Sequence, residues 1–155
     1  MEYVVVKWLH ILSSTLLFGT GLGSAFYMFF TSLTRDARTV AGVVRLVVIA
    51  DWSFTTPTII IQPLTGFYLI HLAHFPLTSK WIVWSIALYF LAGAAWLPVV
   101  WMQIKMRDMA EAAAAANTEL PPKYFQFLRY WTALGVVAFL ALVYVFFLMV
   151  AKPME

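Results

Sequence analysis

The sequence contains no cysteine. This excludes disulfides, thiolate metal sites, iron–sulfur clusters and cysteine nucleophiles together. Charge is scarce too. Only 11% of residues are Asp, Glu, Lys or Arg, against about 25% in a soluble domain. There is no phosphate-binding loop, no hydrolase elbow and no paired-carboxylate motif. No basic stripe is interleaved with aromatics, so nucleic acid is not an expected partner. What is present is apolar: 63% of the 155 residues are hydrophobic, and the mean hydropathy is +0.87. A soluble domain of this length cannot hide that much apolar surface. A disordered chain would not carry it. The expected solvent is therefore lipid.

Four long apolar runs predict four transmembrane helices, about 4-30, 43-73, 81-103 and 125-150, in a single domain over 1-155. Each is long enough for the roughly 20 residues that cross a bilayer. The first lacks the basic start and small-residue cleavage pattern of a removed signal. The third is expected to continue as a helix through Arg107 and Ala112 to Ala116, stopping at Asn117 and Pro121-Pro122. The fold class expected is all-α, an integral membrane four-helix bundle, antiparallel, with the second and third helices bent by Pro57, Pro63 and Pro98. This arrangement leaves Lys7, Lys80 and Lys152 on the side of both termini. Arg35, Arg38, Arg45, Lys105, Arg107, Lys123 and Arg129 fall on the other. The positive-inside rule then makes the arginine-rich side cytoplasmic and both termini periplasmic or exterior, in a bacterial inner membrane. Trp8, Trp81 and Trp84 are expected in an outer aromatic belt, and Trp52, Tyr124 and Tyr130 in an inner one.

Polar residues inside spans mark the faces turned away from lipid. On the first helix His10, Ser14, Gly21 and Ser24 share one face. Gly19 and Gly23 form a GxxxG pair on the opposite one, whose expected role is packing within the bundle. On the second helix Asp51, Thr55, Thr58, Gln62 and Thr65 recur at spacings of four, three, four and three, a continuous polar stripe. On the third Ser85, Trp96, Gln103 and Arg107 share a face. Asp51 is expected to pair with Arg107 or Arg45. The set of Asp51, Gln62 and Gln103 fits a proton path, a quinone head group or hydrogen-bonded glue between helices.

His10 is the histidine well inside a span, and imidazole binds metals and haem iron. His71 and His74 come after the second span at the same membrane level. The three permit a bis-histidine haem or a copper site, with His71 as second ligand, although on an ideal helix His71 projects away from the Gln62 stripe. The methionines show no paired soft-metal spacing.

The stretches Lys7-Trp8-Leu9-His10-Ile11-Leu12-Ser13, Phe18-Gly19-Thr20-Gly21, Asp51-Trp52, Thr56-Pro57, Gln62-Pro63-Leu64-Thr65-Gly66, Trp96-Leu97-Pro98 with Gln103, and Leu148 to Pro153 cover nearly the whole chain. With them the chain resembles a bacterial family of predicted integral membrane proteins called domain of unknown function 2269. The early histidine and the Gly66-x-x-Leu69 ending of helix two look like the CopD copper-resistance and HemJ protoporphyrinogen-oxidase families. The arginine- and tyrosine-rich motif that closes the first HemJ helix has no counterpart, and the HemJ third-helix lysine is not matched in register. That resemblance implies haem b with His10 as the carried-over ligand, and a membrane oxidoreductase. Copper is the alternative cofactor.

Three functions are expected. The first is a haem b redox protein, with His10 and His71 as ligands and Ser14, Gly21 and Ser24 making room for the macrocycle. Asp51, Thr55, Thr58, Gln62, Trp96, Gln103 and Arg107 would then form a polar interior for protons or a quinone. The second is a transporter or copper-handling permease, active as a homo-oligomer. The third is a non-catalytic assembly subunit.

Overall fold

The computed structural model of the protein describes residues 1–152. Pro153, at the end of the last matched stretch, lies outside the described residues. The chain forms α1 (Glu2–Leu33), α2 (Ala37–Ala50), a π-helical turn (Asp51–Thr55), α3 (Thr56–Leu72), α4 (Lys80–Ala116) and α5 (Pro122–Ala151). The stretch Ala37–Leu72 runs on as one span, so four helical segments are long and apolar enough to cross a membrane.

The ends of these helices obey local chemistry. Asp36 caps α2 by accepting from the Thr39 backbone N–H at 3.0 Å and from the Thr39 hydroxyl. These bonds favour the ionised form and hold the Asp36 carboxyl below its ordinary range. Asn117 ends α4 in the left-handed conformation, φ 53°, which asparagine tolerates better than most residues. Pro122 opens α5 at a position where its missing N–H costs nothing. Arg38 donates to the Asn117 side chain, which joins the α1–α2 turn to the α4–α5 turn. This arginine-rich end of the molecule is thereby fixed.

The helices pair unequally. α4 packs extensively on α5, α1 on α3, and α2 on α4 and α1, while α1 touches α5 sparingly. At the arginine-rich end Met28, Val40, Val44, Met106, Ala110 and Tyr124 form a fully or almost fully buried cluster. At the other end Trp81, Ile82 and Leu148 form a smaller one. Outside these, Leu22, Leu46, Ile60, Leu64, Leu97 and Leu140 face outward. That surface is intolerable in water and neutral in hydrocarbon.

Among spans in lipid there is no hydrophobic force between helices, so polar pairs gain importance. The most instructive is made around Pro63, inside α3. Proline has no N–H, so the carbonyl four residues earlier, that of Ile59, loses its helical partner. The Tyr89 hydroxyl on α4 donates to that carbonyl at 2.7 Å. Tyr89→Phe should therefore lower stability by about 1–3 kcal/mol, the cost of a buried unpaired polar group. Unfolding of the detergent-solubilised protein measures this, and an unchanged midpoint would show that the carbonyl finds another partner.

Two expectations about the belts and one about packing need correction. Trp81 and Tyr124 are buried, not interfacial. Trp81 packs edge-on against Phe75 beneath the Lys152 ammonium, and Tyr124 pairs with Ser32 at 2.7 Å. Ser32 already gives its proton to the Met28 carbonyl at 2.7 Å, so the tyrosine hydroxyl donates. Gly19 and Gly23 pack nothing within the bundle: a Cβ at either would meet no atom within 4 Å. α3 and α5 approach α1 on other faces.

Candidate functional site

The polar residues of the second span do not form one stripe. The π turn bonds the Thr56 N–H to the Asp51 carbonyl, five residues back. Its extra residue rotates the later half of the span relative to the earlier half by about 100°. Pro57, two residues beyond it, cannot donate to the helix ladder in any case, which makes this the weak point where the extra residue is accommodated. Asp51 consequently faces α4, whereas Thr58, Gln62 and Thr65 face α1.

The α1 side is built on His10. The Thr65 hydroxyl donates to its own Ile61 carbonyl at 2.8 Å, so it accepts from the His10 Nδ1–H, also at 2.8 Å. The Gln62 amide N–H donates to His10 Nε2 at 3.1 Å. The bonding pattern thus assigns the neutral Nδ1–H tautomer. The ring lies against Gly66, where an added Cβ would sit 3.2 Å from His10 Cε1; the glycine permits that close approach. Nearer the N-terminus of α1, Tyr68 donates to the Glu2 carboxylate. One turn further along, Ser13 donates to the Thr58 carbonyl at 3.4 Å. His10 is thus a two-ended clasp between α1 and α3. The Gln62 Oε1 is buried with no partner among the described residues.

This arrangement does not fit a haem or a copper ion held by His10 and His71. Both His10 nitrogens are engaged by α3. His71 is exposed and stacks parallel on Tyr68 at 6.4 Å; nine residues after Gln62, at about 100° per residue, it projects from the opposite side of α3. Among the described residues no three His, Asp or Glu side chains come together as a metal site. Ser14 turns back to its own Ile11 carbonyl at 2.7 Å, and Thr58 donates to the Phe54 and Thr55 carbonyls.

Six of the other site residues do converge, on a cavity of about 410 Å³ bordered by α1, the π turn, α3, α4 and α5. Gly21, Ser24, Asp51, Thr55, Trp96 and Gln103 all line it. Its polar pole is compact. Asp51 accepts from Gln103 Nε2 at 2.7 Å and from the Thr55 hydroxyl at 2.9 Å, and all three residues are buried. The expected ion pair with Arg107 or Arg45 is not made. Arg107 pairs with its neighbour Asp108 at 2.7 Å, and Arg45 is exposed. The reason is geometric: the π turn aims Asp51 inward towards α4, while Arg45 lies on the exposed face of α2 and the Arg107 guanidinium is turned to Asp108. The remaining walls are apolar and aromatic, including Phe18, Phe29, Tyr89, Trp131 and Phe139. Trp131 is 6% exposed, and its indole N–H has no partner among the described residues.

Tyr89, Gly93, Trp131 and Gly135 belong to this site but do not emerge from the polar pattern. The glycines carried a signal. Gly21, Gly93 and Gly135 interrupt three different helices and all line the cavity, and a Cβ at any of them would meet nothing within 4 Å. Each costs about 0.5–1 kcal/mol against alanine in a helix interior. The space they leave is the cavity itself.

The fold and site define a multi-span helical membrane protein with an internal, largely apolar cavity and one polar pole. Within that class, the chain belongs to the family described as predicted integral membrane protein (DUF2269), whose model matches residues 4–153. No curated protein and no solved structure matches it.

Proposed function

We propose that this protein binds a membrane-soluble quinone or its quinol in the cavity beside Asp51. The observation that carries this is the cavity's polarity. A flat apolar body with hydrogen-bonding groups on its ring is the chemistry that an aromatic-walled space with a single polar pole accommodates. The Gln103 amide has a second N–H free to meet a quinone carbonyl, and the unpartnered Trp131 N–H is a further donor. The Asp51 carboxylate can accept from a quinol hydroxyl. Three glycines clear the space for the ring. The redox character inferred from the sequence resides, in this reading, in the bound carrier and not in a haem on His10.

Trp96 and Trp131 line the site, and quinones quench indole fluorescence. Titration of the detergent-solubilised protein with decylubiquinone should give saturable quenching. Gln103→Leu should weaken binding about tenfold, the equivalent of one hydrogen bond at about 1.4 kcal/mol. Absence of saturable quenching in the wild type, or equal affinity in the variant, would refute the assignment. A visible Soret band lost in His10→Ala would replace it with a haem.

A further inference from the structure

We infer that the ligand is a tailed lipid, held head-inward, whose hydrocarbon tail leaves the cavity between α1 and α5 directly into the bilayer. This rests on the cavity reading above and adds the route. Leu22 and Phe26 on α1 and Val136 on α5 are each at least half exposed, yet each also lines the cavity. A side chain does both only at the rim of an opening.

The seam between α1 and α5 is fastened at two levels. Toward the N-terminus of α1, Phe18 stacks on Phe139 at 5.2 Å and meets Phe146 edge-on at 5.4 Å. At the arginine-rich end Ser32 bonds Tyr124, and the Arg35 guanidinium covers Phe125 at 4.9 Å. Between Phe18 and Ser32, no hydrogen bond or aromatic pair joins the two helices among the described residues. Gly135 sits on this stretch with open space where a Cβ would be. The opening lies within apolar span, and the hydroxyls nearest it, Ser24 and Thr132, are bonded to the Gly21 and Leu128 carbonyls of their own helices, so it faces hydrocarbon and not water. A cavity of about 410 Å³ suits a ring head. A long tail has to be placed elsewhere, and this is the side on which it leaves at no desolvation cost.

The test compares decylubiquinone with the same ring lacking the tail, using wild type and Val136→Trp in detergent. The indole at the rim should obstruct the opening. Affinity for the tailed quinone should fall at least tenfold more than affinity for the tailless ring. A second measurement needs no variant: a quinone with a photoreactive group at the end of its tail should label the Leu22 to Phe26 stretch or Val136 in the wild type. An equal fall for both quinones in Val136→Trp together with labelling of α4 at Tyr89 or Ala92 would overturn the route and leave the cavity reading standing. Failure of both quinones to bind the wild type would overturn the two together.

Discussion

His10→Ala should lower the stability of the solubilised protein by about 3 kcal/mol, the largest loss expected from any single side chain on α1. The figure combines a ring-sized void with the desolvation of polar groups left unpaired away from water. Thr65 keeps its bond to the Ile61 carbonyl and loses little. Gln62 loses its N–H partner while its Oε1 is already unpartnered, so the whole amide is stranded between helices. The contact with Gly66 also vanishes. Thr65→Val should cost much less, about 1 kcal/mol. Denaturant-induced unfolding in detergent measures both. A loss below about 1 kcal/mol for His10→Ala would mean that packing alone holds α1 to α3.

Filling the cavity should have effects of opposite sign on stability and on binding. Gly93→Leu combined with Gly135→Leu places two side chains where a Cβ meets nothing within 4 Å. Helix propensity contributes about 0.5–1 kcal/mol per glycine replaced, and new van der Waals contacts add to it. The melting temperature should rise. Decylubiquinone affinity should fall at least 100-fold, about 2.7 kcal/mol, because the ring and the leucines compete for one space. Unchanged quinone affinity in a well-folded, stabilised variant would place the ligand outside this cavity. Such a pairing of gain and loss separates a site from a packing defect, since filling a mere defect stabilises without removing a function.

Much of the architecture was legible in the chain. The four spans, the long extension of α4 to Ala116 and its stop at Asn117 stem from apolar run length, alanine propensity and a residue tolerant of the left-handed conformation. Most of the residues that line the cavity's polar pole were legible too, because a polar group inside a span is costly enough to be informative. The partners were not. Periodicity joined Asp51 to Gln62 on one face, and charge joined it to Arg107. The protein instead joins Asp51 to Gln103 and Gln62 to His10. A five-residue π turn separates them, and nothing in an i, i+3, i+4 count registers an inserted residue. Tyr89 escaped for a related reason: its importance comes from a carbonyl that Pro63 frees on another helix.

By itself, the sequence determined the solvent, the number of spans and the inventory of polar groups that must be satisfied within them. Each of these depends on composition or on local spacing, which a linear pattern carries. Only the tertiary structure decided that His10 is engaged as a clasp, that three glycines on three helices vacate one shared space, and that α1 and α5 part along its side. These depend on the rotation of each helix about its own axis. In lipid that rotation is not imposed by burying an apolar face, since every apolar face is equally at home. It is set by a few polar pairs and close approaches, such as Ser32 with Tyr124 and His10 with Gly66, whose partners lie far apart in the chain.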